Sequence, residues 1–163
     1  MNRRYTVSQI EKIFDLAYRL RNDWGFGADI IAGFPGEGDT EFAATNRFLS
    51  QSPLSYLHVF PYSARPDTPA LKLPQHVAGG DKRRRVAALK VTDGELRRNF
   101  RAQHVGKTLP VLFEKRRVDG LLAGHAANYL DVYSDAADEV AGTIRRVRMS
   151  RSHPLGVVGE IVE

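Results

Sequence analysis

Ala28-Asp29-Ile30-Ile31-Ala32-Gly33-Phe34-Pro35-Gly36-Glu37 is the stretch on which the fold of this chain turns. A short apolar run enters a Gly/Pro-rich turn, which predicts a strand buried on both faces, as in a parallel sheet. Downstream, Asp39 is placed to cap a helix over about 40–51 with Phe42, Thr45 and Leu49 on its inner face. Pro53 ends that helix, and 54–61 (LSYLHVFP) reads as a second strand. Upstream, Thr6 with Gln9 and Ser8 with Glu11 both fit a capping box, and Ile10, Ile13, Phe14, Ala17 and Leu20 recur at helical spacing. The spacing predicts a helix over 7–22, broken by Gly25 and Gly27. Helix, strand, helix, strand with crossovers of helix length describes parallel α/β units. About two such units are too few to close a barrel, so this part is expected to belong to something larger.

Beyond it, 62–80 holds three prolines and a Gly-Gly and reads as an irregular connector. A long helix is expected over 81–103, with Val86, Leu89, Leu96 and Phe100 as its buried stripe and Asp93 intruding on it. At 100° per residue, Arg83, Lys90, Arg97 and Arg101 line the edge of that stripe, spread over ~27 Å. After Gly106 the texture changes to five short β-like runs, 108–113, 120–123, 129–133, 142–149 and 156–162, divided by turn residues. That is the pattern of a small antiparallel five-stranded, OB-like barrel. The expected division is therefore 1–102, including the basic helix, and 103–163.

The chain has 163 residues, 42% of them hydrophobic, enough for one ordinary domain or two small ones. Met1-Asn2-Arg3-Arg4-Tyr5-Thr6 leads into a charged segment with no apolar signal core, so a secreted protein is not expected. No run approaches the ~18 apolar residues of a membrane span. There is no cysteine. Disulfides, thiolate zinc sites, cysteine nucleophiles and protein-ligated iron–sulfur clusters are thereby excluded within this chain. The net charge of +5 has an address: residues 1–70 carry −1, 71–102 carry +6 and 103–163 carry 0. The excess lies on the connector and long helix, as a solvated face or as a surface for a polyanion.

The turn at Gly33–Glu37 follows a strand and precedes a helix, where ligands of parallel sheets sit, although it is neither a GxGxxG nor a P-loop. Phe34 there could stack on a base. Asp29 and Glu37 are the carboxylates near it. They could form an acid/base pair, but a loop hydrogen bond for Asp29 and a helix N-terminal role for Glu37 is the preferred reading. Tyr62, Ser63, Arg65 and Thr68 on the exit loop after the second strand suit a phosphate or carboxylate. The five histidines (58, 76, 104, 125 and 153) show no ligand spacing, so no metal site is expected. In the last segment Tyr129, Tyr133, Arg145, Arg146 and Arg148 are available for stacking and for phosphates. Its zero net charge argues for shape-guided affinity.

Taken in order, Met1–Thr6, Asp29–Glu37 and 56–68 resemble the last third of the catalytic domain of the radical S-adenosylmethionine methylthiotransferases that modify tRNA. The segment from Gly106 onward, with Gly120, Gly124, Asn128-Tyr129, Val132, Gly142 and Leu155-Gly156, resembles the TRAM domain that follows in that family. Leu57-His58-Val59-Phe60-Pro61-Tyr62-Ser63 looks most like the MtaB branch, which acts on threonylcarbamoyladenosine 37 of tRNA; MiaB and RimO, the ribosomal-protein-S12 branch, are next. Gly38 stands where the family usually has Thr, and Asp67 where it usually has Gly.

The resemblance implies the C-terminal portion of a radical (β/α) barrel followed by an RNA-binding TRAM barrel. It implies methylthiolation of adenosine 37 at C2, with S-adenosylmethionine and two [4Fe–4S] clusters as cofactors in the complete enzyme. The cluster cysteines of the family lie upstream of everything matched here, so this chain alone is expected to be inactive and to lack an N-terminal catalytic portion. Carried over by position, Ile31, Gly33, Phe34, Glu37, Tyr62, Ser63 and Arg65 become candidates for the cofactor side. Arg83, Lys90, Arg97, Arg101, Tyr129, Arg145, Arg146 and Arg148 become candidates for RNA. No catalytic residue and no metal ligand is expected. The partner implied is the anticodon loop of tRNA, in the cytoplasm and away from membranes. The alternative is a free-standing RNA-binding or adaptor module without catalysis.

Overall fold

In the computed structural model, which describes residues 3–162, the first helix opens at the capping box the sequence predicts. The Thr6 hydroxyl accepts the Gln9 N–H at 3.3 Å, and the Gln9 side chain accepts the Thr6 N–H at 2.8 Å. Met1, Asn2 and Glu163 lie outside the described residues. The contacts divide the chain into two units: residues up to Asn22 with Phe26–Arg97, and Asp23–Gly25 with Arg98 onward.

In the first unit, α1 (Val7–Leu20) stops two residues short of expectation because Arg21 turns to extended backbone. Phe14 reaches the core beside Phe26, ring centroids 6.1 Å apart, while Ile13, Leu16 and Leu20 are exposed. Strand β1 (Gly27–Ala32), helix α2 (Asp39–Gln51) and strand β2 (Tyr56–Pro61) form a βαβ unit, the strands parallel with Gly27 opposite Tyr56 and Ala32 opposite Pro61. Strand β2 begins two residues late because Ser55 is used as a clip. Its N–H donates to the Phe26 carbonyl at 2.7 Å and its hydroxyl accepts the Phe26 N–H at 3.1 Å.

Ala28, Ile30 and Ala32 share a core with Leu57, Val59, Leu49 of α2 and Leu89 and Leu96 of α3 (Gly79–Ala102). The expectation of a strand covered on both faces is corrected here. Helices pack on one side, and Asp29, His58 and Phe60 on the alternate positions are exposed. This open two-stranded parallel sheet establishes α/β character; it is not itself a barrel.

Helix α3 also corrects its expected stripe. The buried positions are Arg85, Leu89, Thr92 and Leu96, two of them polar, at i, i+4, i+7 and i+11. Thr92 donates to Asn46 of α2 at 2.8 Å. Asp93, the apparent intruder, accepts the Leu57 N–H of β2 at 2.7 Å and is bridged by the Arg97 Nε at 2.9 Å. It supplies an acceptor to a backbone amide on the edge of a two-stranded sheet.

The second unit holds β3 (Thr108–Val118), β4 (Leu121–Ala126), β5 (Asp131–Ser134), β6 (Ile144–His153) and β7 (Gly156–Val162). They form a mixed sheet in the order β3-β4-β5-β7-β6, and β6 also pairs with β3 (Thr108 opposite Arg148), so each strand has two neighbours. The expected all-antiparallel arrangement is corrected: β5 and β7 run parallel, Val132 opposite Val157. Five is an odd number, and strands that alternate in direction around a ring must leave one like-directed pair. Val111, Phe113, Leu122, Val132, Val147 and Met149 fill the interior, joined by Phe100 from the last turns of α3. Among the described residues no helix is long and apolar enough to cross a membrane.

Asp93→Ala orphans the Leu57 amide and releases Arg97. It is expected to lower stability by about 1–3 kcal/mol in urea unfolding, with Asp93→Asn, which keeps an acceptor, costing less.

Candidate ligand and nucleic-acid surfaces

The turn after β1 is built around one carboxylate. Gly33 sits at φ +78, and a Cβ there would run into the Lys82 side chain, so backbone conformation and space both require glycine. Its N–H donates to Glu37 Oε2 at 2.6 Å. The same oxygen accepts Arg85 Nη1 at 2.9 Å, and that nitrogen also reaches the Glu37 carbonyl at 2.7 Å. Arg85 Nη2 donates to Asp39 at 3.0 Å, and the guanidinium lies 5.5 Å from the Phe42 ring centroid. Arg85 is 4% exposed. A buried guanidinium thus ties α3 to both ends of the Glu37–Asp39 segment. The hydrogen bond from Arg85, then that from Arg84, holds the Asp39 carboxyl below its ordinary range.

The predicted exit-loop residues join this turn. The Tyr62 N–H donates to the Ala32 carbonyl at 2.8 Å, and the Tyr62 ring meets Phe34 edge-on at 5.3 Å. Lys82 Nζ donates to the Tyr62 carbonyl at 3.3 Å and lies 5.6 Å from its ring centroid. The Tyr62 hydroxyl is buried without a hydrogen-bond partner. Ser63 and Arg65 are exposed, Ile31 is half-buried, and the Arg65 carbonyl accepts the Thr68 hydroxyl at 2.9 Å. Glu37 is already committed to Gly33 and Arg85, whereas Asp29 is exposed on the open sheet face opposite His58. Arg85 and Lys82 were missed as site residues. Forty-eight positions separate Arg85 from Glu37, and a basic residue in a basic run carries no sign of burial.

The basic stripe of α3 does not act as one surface. Arg83 and Lys90 are exposed. Arg97 is bonded to Asp93 and lies 5.3 Å from the Tyr56 ring centroid. Arg101, in the second unit, donates to the Pro154 carbonyl at 2.6 Å. On β6, Arg146 and Arg148 share a face, with Arg148 opposite Glu160 of β7; Arg145 lies on the other parity, and all three are exposed. Among the described residues no group of three His, Asp or Glu side chains is arranged to hold a metal ion.

Tyr129 stands on the turn between β4 and β5, and the residue before it, Asn128, belongs to a polar network with buried His104. His104 is 0% exposed. Its Nδ1 is 2.7 Å from the Phe100 carbonyl and its Nε2 is 3.0 Å from Asn128 Nδ2, which also donates to the Asp23 carbonyl at 2.7 Å. These partners fix the tautomer: Nδ1 carries the proton and Nε2 accepts. Burial first, and the charge of Lys107 after it, push the His104 pKa down. No sequence signal marked His104, whose partners lie 4 and 24 positions away.

No family model matches the chain. Over 146 residues, 89% of its length, it is 35% identical to a protein of Aquifex aeolicus named threonylcarbamoyladenosine tRNA methylthiotransferase MtaB, covering 34% of that protein. Over 162 residues, 99% of its length, it is 33% identical to a protein of Maricaulis maris named tRNA-2-methylthio-N(6)-dimethylallyladenosine synthase, covering 36% of it. The chain thus spans about a third of the length of these curated relatives.

Two expectations follow from the geometry. Arg85→Met strands the half-buried Glu37 and should cost about 3–5 kcal/mol in denaturant unfolding, whereas Arg85→Met with Glu37→Gln should recover part of that loss. For His104, the folded value lies below the ordinary one of about 6.5, so the unfolded chain takes up the proton first. The stability it supports is present above that pH and is lost as pH falls toward the folded value. Melts of the parent and His104→Gln across pH 4–8 should therefore converge at acid pH.

Proposed function

This chain belongs to the tRNA methylthiotransferase family, and from that premise we propose that it is the C-terminal part of such an enzyme. In this reading the first unit is the end of the radical S-adenosylmethionine (β/α) barrel and the second is the TRAM domain that holds tRNA at the anticodon loop. The observation that carries it is homology running along 89–99% of the chain while covering only a third of each relative. The MtaB-like string at 57–63 favours threonylcarbamoyladenosine 37 as the nucleoside, modified at C2. The cytoplasm is the matching compartment. The division at 1–102 and 103–163 is retained as a functional one, with α3 joining the two parts.

The groups such an enzyme uses differ in how they fit this chain. Iron–sulfur clusters do not fit, because the chain has no cysteine to ligate them. Catalysis would therefore rest with the remaining portion of the enzyme. S-adenosylmethionine does fit the turn at Gly33, where a buried Tyr62 hydroxyl lacks a partner. Ile31, Gly33, Phe34, Tyr62, Ser63 and Arg65 would hold it, and when bound it supplies the methyl group. Glu37 would act indirectly, by fixing the Gly33 amide and taking its own position from Arg85.

For the RNA side, exposed Arg83, Lys90, Arg145, Arg146 and Arg148 would meet phosphates, while Arg97 and Arg101 would contribute mainly by holding α3 in place. Binding of tRNA to the chain over a salt series tests this. Each phosphate neutralised contributes about 0.7–0.9 to the slope of log affinity against log salt. Arg83→Glu with Lys90→Glu should weaken binding and flatten the slope by about 1–2. An unchanged slope would return those two side chains to the role of a solvated face, and absence of tRNA binding would refute the RNA-binding reading.

A further inference from the structure

We propose that Trp24 and Tyr129 together form a stacking platform for an unpaired base, an inference that rests on the RNA-binding reading of the second unit. Tyr129 is 77% exposed, and its backbone lies at φ 64. A bulky residue rarely adopts that left-handed conformation, and an exposed ring gains little packing from it. The surrounding structure imposes it. Asn128 is held by His104 and by the Asp23 carbonyl, its own side-chain oxygen accepts the Leu130 N–H at 3.3 Å, and the Tyr129 N–H donates to the Ala126 carbonyl at 3.0 Å. The ring is projected outward from a turn fixed on both sides.

Asn128 also anchors the segment that carries Trp24. The Asp23 carbonyl accepts its side-chain amide at 2.7 Å, and a Cβ on Gly25 would run into the Asn128 carbonyl. Asp23-Trp24-Gly25 is thus laid against Asn128, and its contacts place it in the second unit although its sequence neighbours belong to the first. Trp24, between those two points of contact, remains 42% exposed. Two aromatic side chains far apart in sequence therefore leave the backbone from positions flanking one half-buried asparagine, Asn128. The Lys107 N–H donates to the His104 carbonyl at 3.1 Å, which puts a cationic residue at the same end of the unit.

Aromatic faces grip unpaired bases whatever their identity, because every base has a π-face, and paired bases in a duplex present none. Weak net charge with exposed aromatics on an anchored backbone is the combination expected of a surface that selects a loop over a stem. It also agrees with the zero net charge of residues 103–163.

The chain contains one tryptophan, so emission excited at the red edge, where tyrosine does not absorb, reports on Trp24 alone. The full chain would be titrated with an RNA hairpin carrying an unpaired loop and with a blunt duplex of equal phosphate number, following Trp24 emission and, separately, the anisotropy of labelled RNA. The hairpin should quench Trp24 with the same midpoint as the anisotropy, and the duplex should quench little. Tyr129→Gly relaxes the left-handed backbone, so its melt should match or exceed the parent's while hairpin affinity falls roughly 5- to 150-fold. Tyr129→Phe and Trp24→Phe should retain affinity, and Trp24→Ala should lose it.

Hairpin binding with unchanged Trp24 emission and an unaffected Tyr129→Gly variant would overturn the platform while leaving RNA binding intact. Equal quenching by the duplex would overturn it in favour of contact with the sugar–phosphate backbone. If neither RNA binds, the RNA-binding reading falls, and the platform with it.

Discussion

The first unit depends on a single buried guanidinium. Arg85 enters the core position of a helix where the heptad-like spacing calls for an apolar side chain, and its charge is tolerable there because Glu37 and Asp39 meet it. A leucine in that place would satisfy packing and leave the turn after β1 without a fastening. What the ion pair adds is position. It makes α3, which packs on the sheet through Leu89 and Leu96, the member that sets where the Gly33 amide points. Damage to α3 would thus be felt at a turn that α3 reaches by two side chains, Lys82 and Arg85.

The second unit solves a related problem with neutral groups. Buried His104 and half-buried Asn128 have donors and acceptors that match one another, and the match requires histidine without its second proton. Protonation would place donor against donor at Nε2. Burial already opposes that charge, so geometry and desolvation act in one direction. The network includes Asn128 of a surface turn, and a rigid turn is what allows an exposed ring to be held in a conformation it would not choose.

Local features were legible in the sequence, and long-range polar contacts were not. The Thr6–Gln9 box, the two parallel strands and the five later strands all announce themselves through spacing within a dozen residues. The stripe of α3 was misread because a search for apolar periodicity passes over Arg85 and Thr92, the two buried positions that are polar. Asp93 seemed misplaced for the same reason, since its partner amide at Leu57 is 36 residues away. The parallel pairing of β5 and β7 is a matter of ring closure, which no individual strand encodes. At the candidate site, spacing located the turn and the exit loop, whereas the Phe34–Tyr62 contact and the Lys82 bridge that join them arise only from tertiary packing.

The basic excess shows how far composition can mislead about function. Residues 71–102 carry the whole surplus of positive charge, which invites the picture of a helix presented to a polyanion. Several of those charges are spent internally: Lys82 on Tyr62, Arg84 and Arg85 on Asp39, Arg97 on Asp93 and Arg101 on a backbone carbonyl. Asp93 is already counted in that surplus and a carbonyl leaves a cation its charge, but Glu37 and Asp39, from outside the segment, offset Arg84 and Arg85, so the long-range attraction of α3 is smaller than its formal charge suggests. Under the proposed RNA-binding role, recognition would then draw more on rigid, uncharged surfaces. The half-exposed Trp24 and the projecting Tyr129, fixed by a neutral network, are surfaces of that kind.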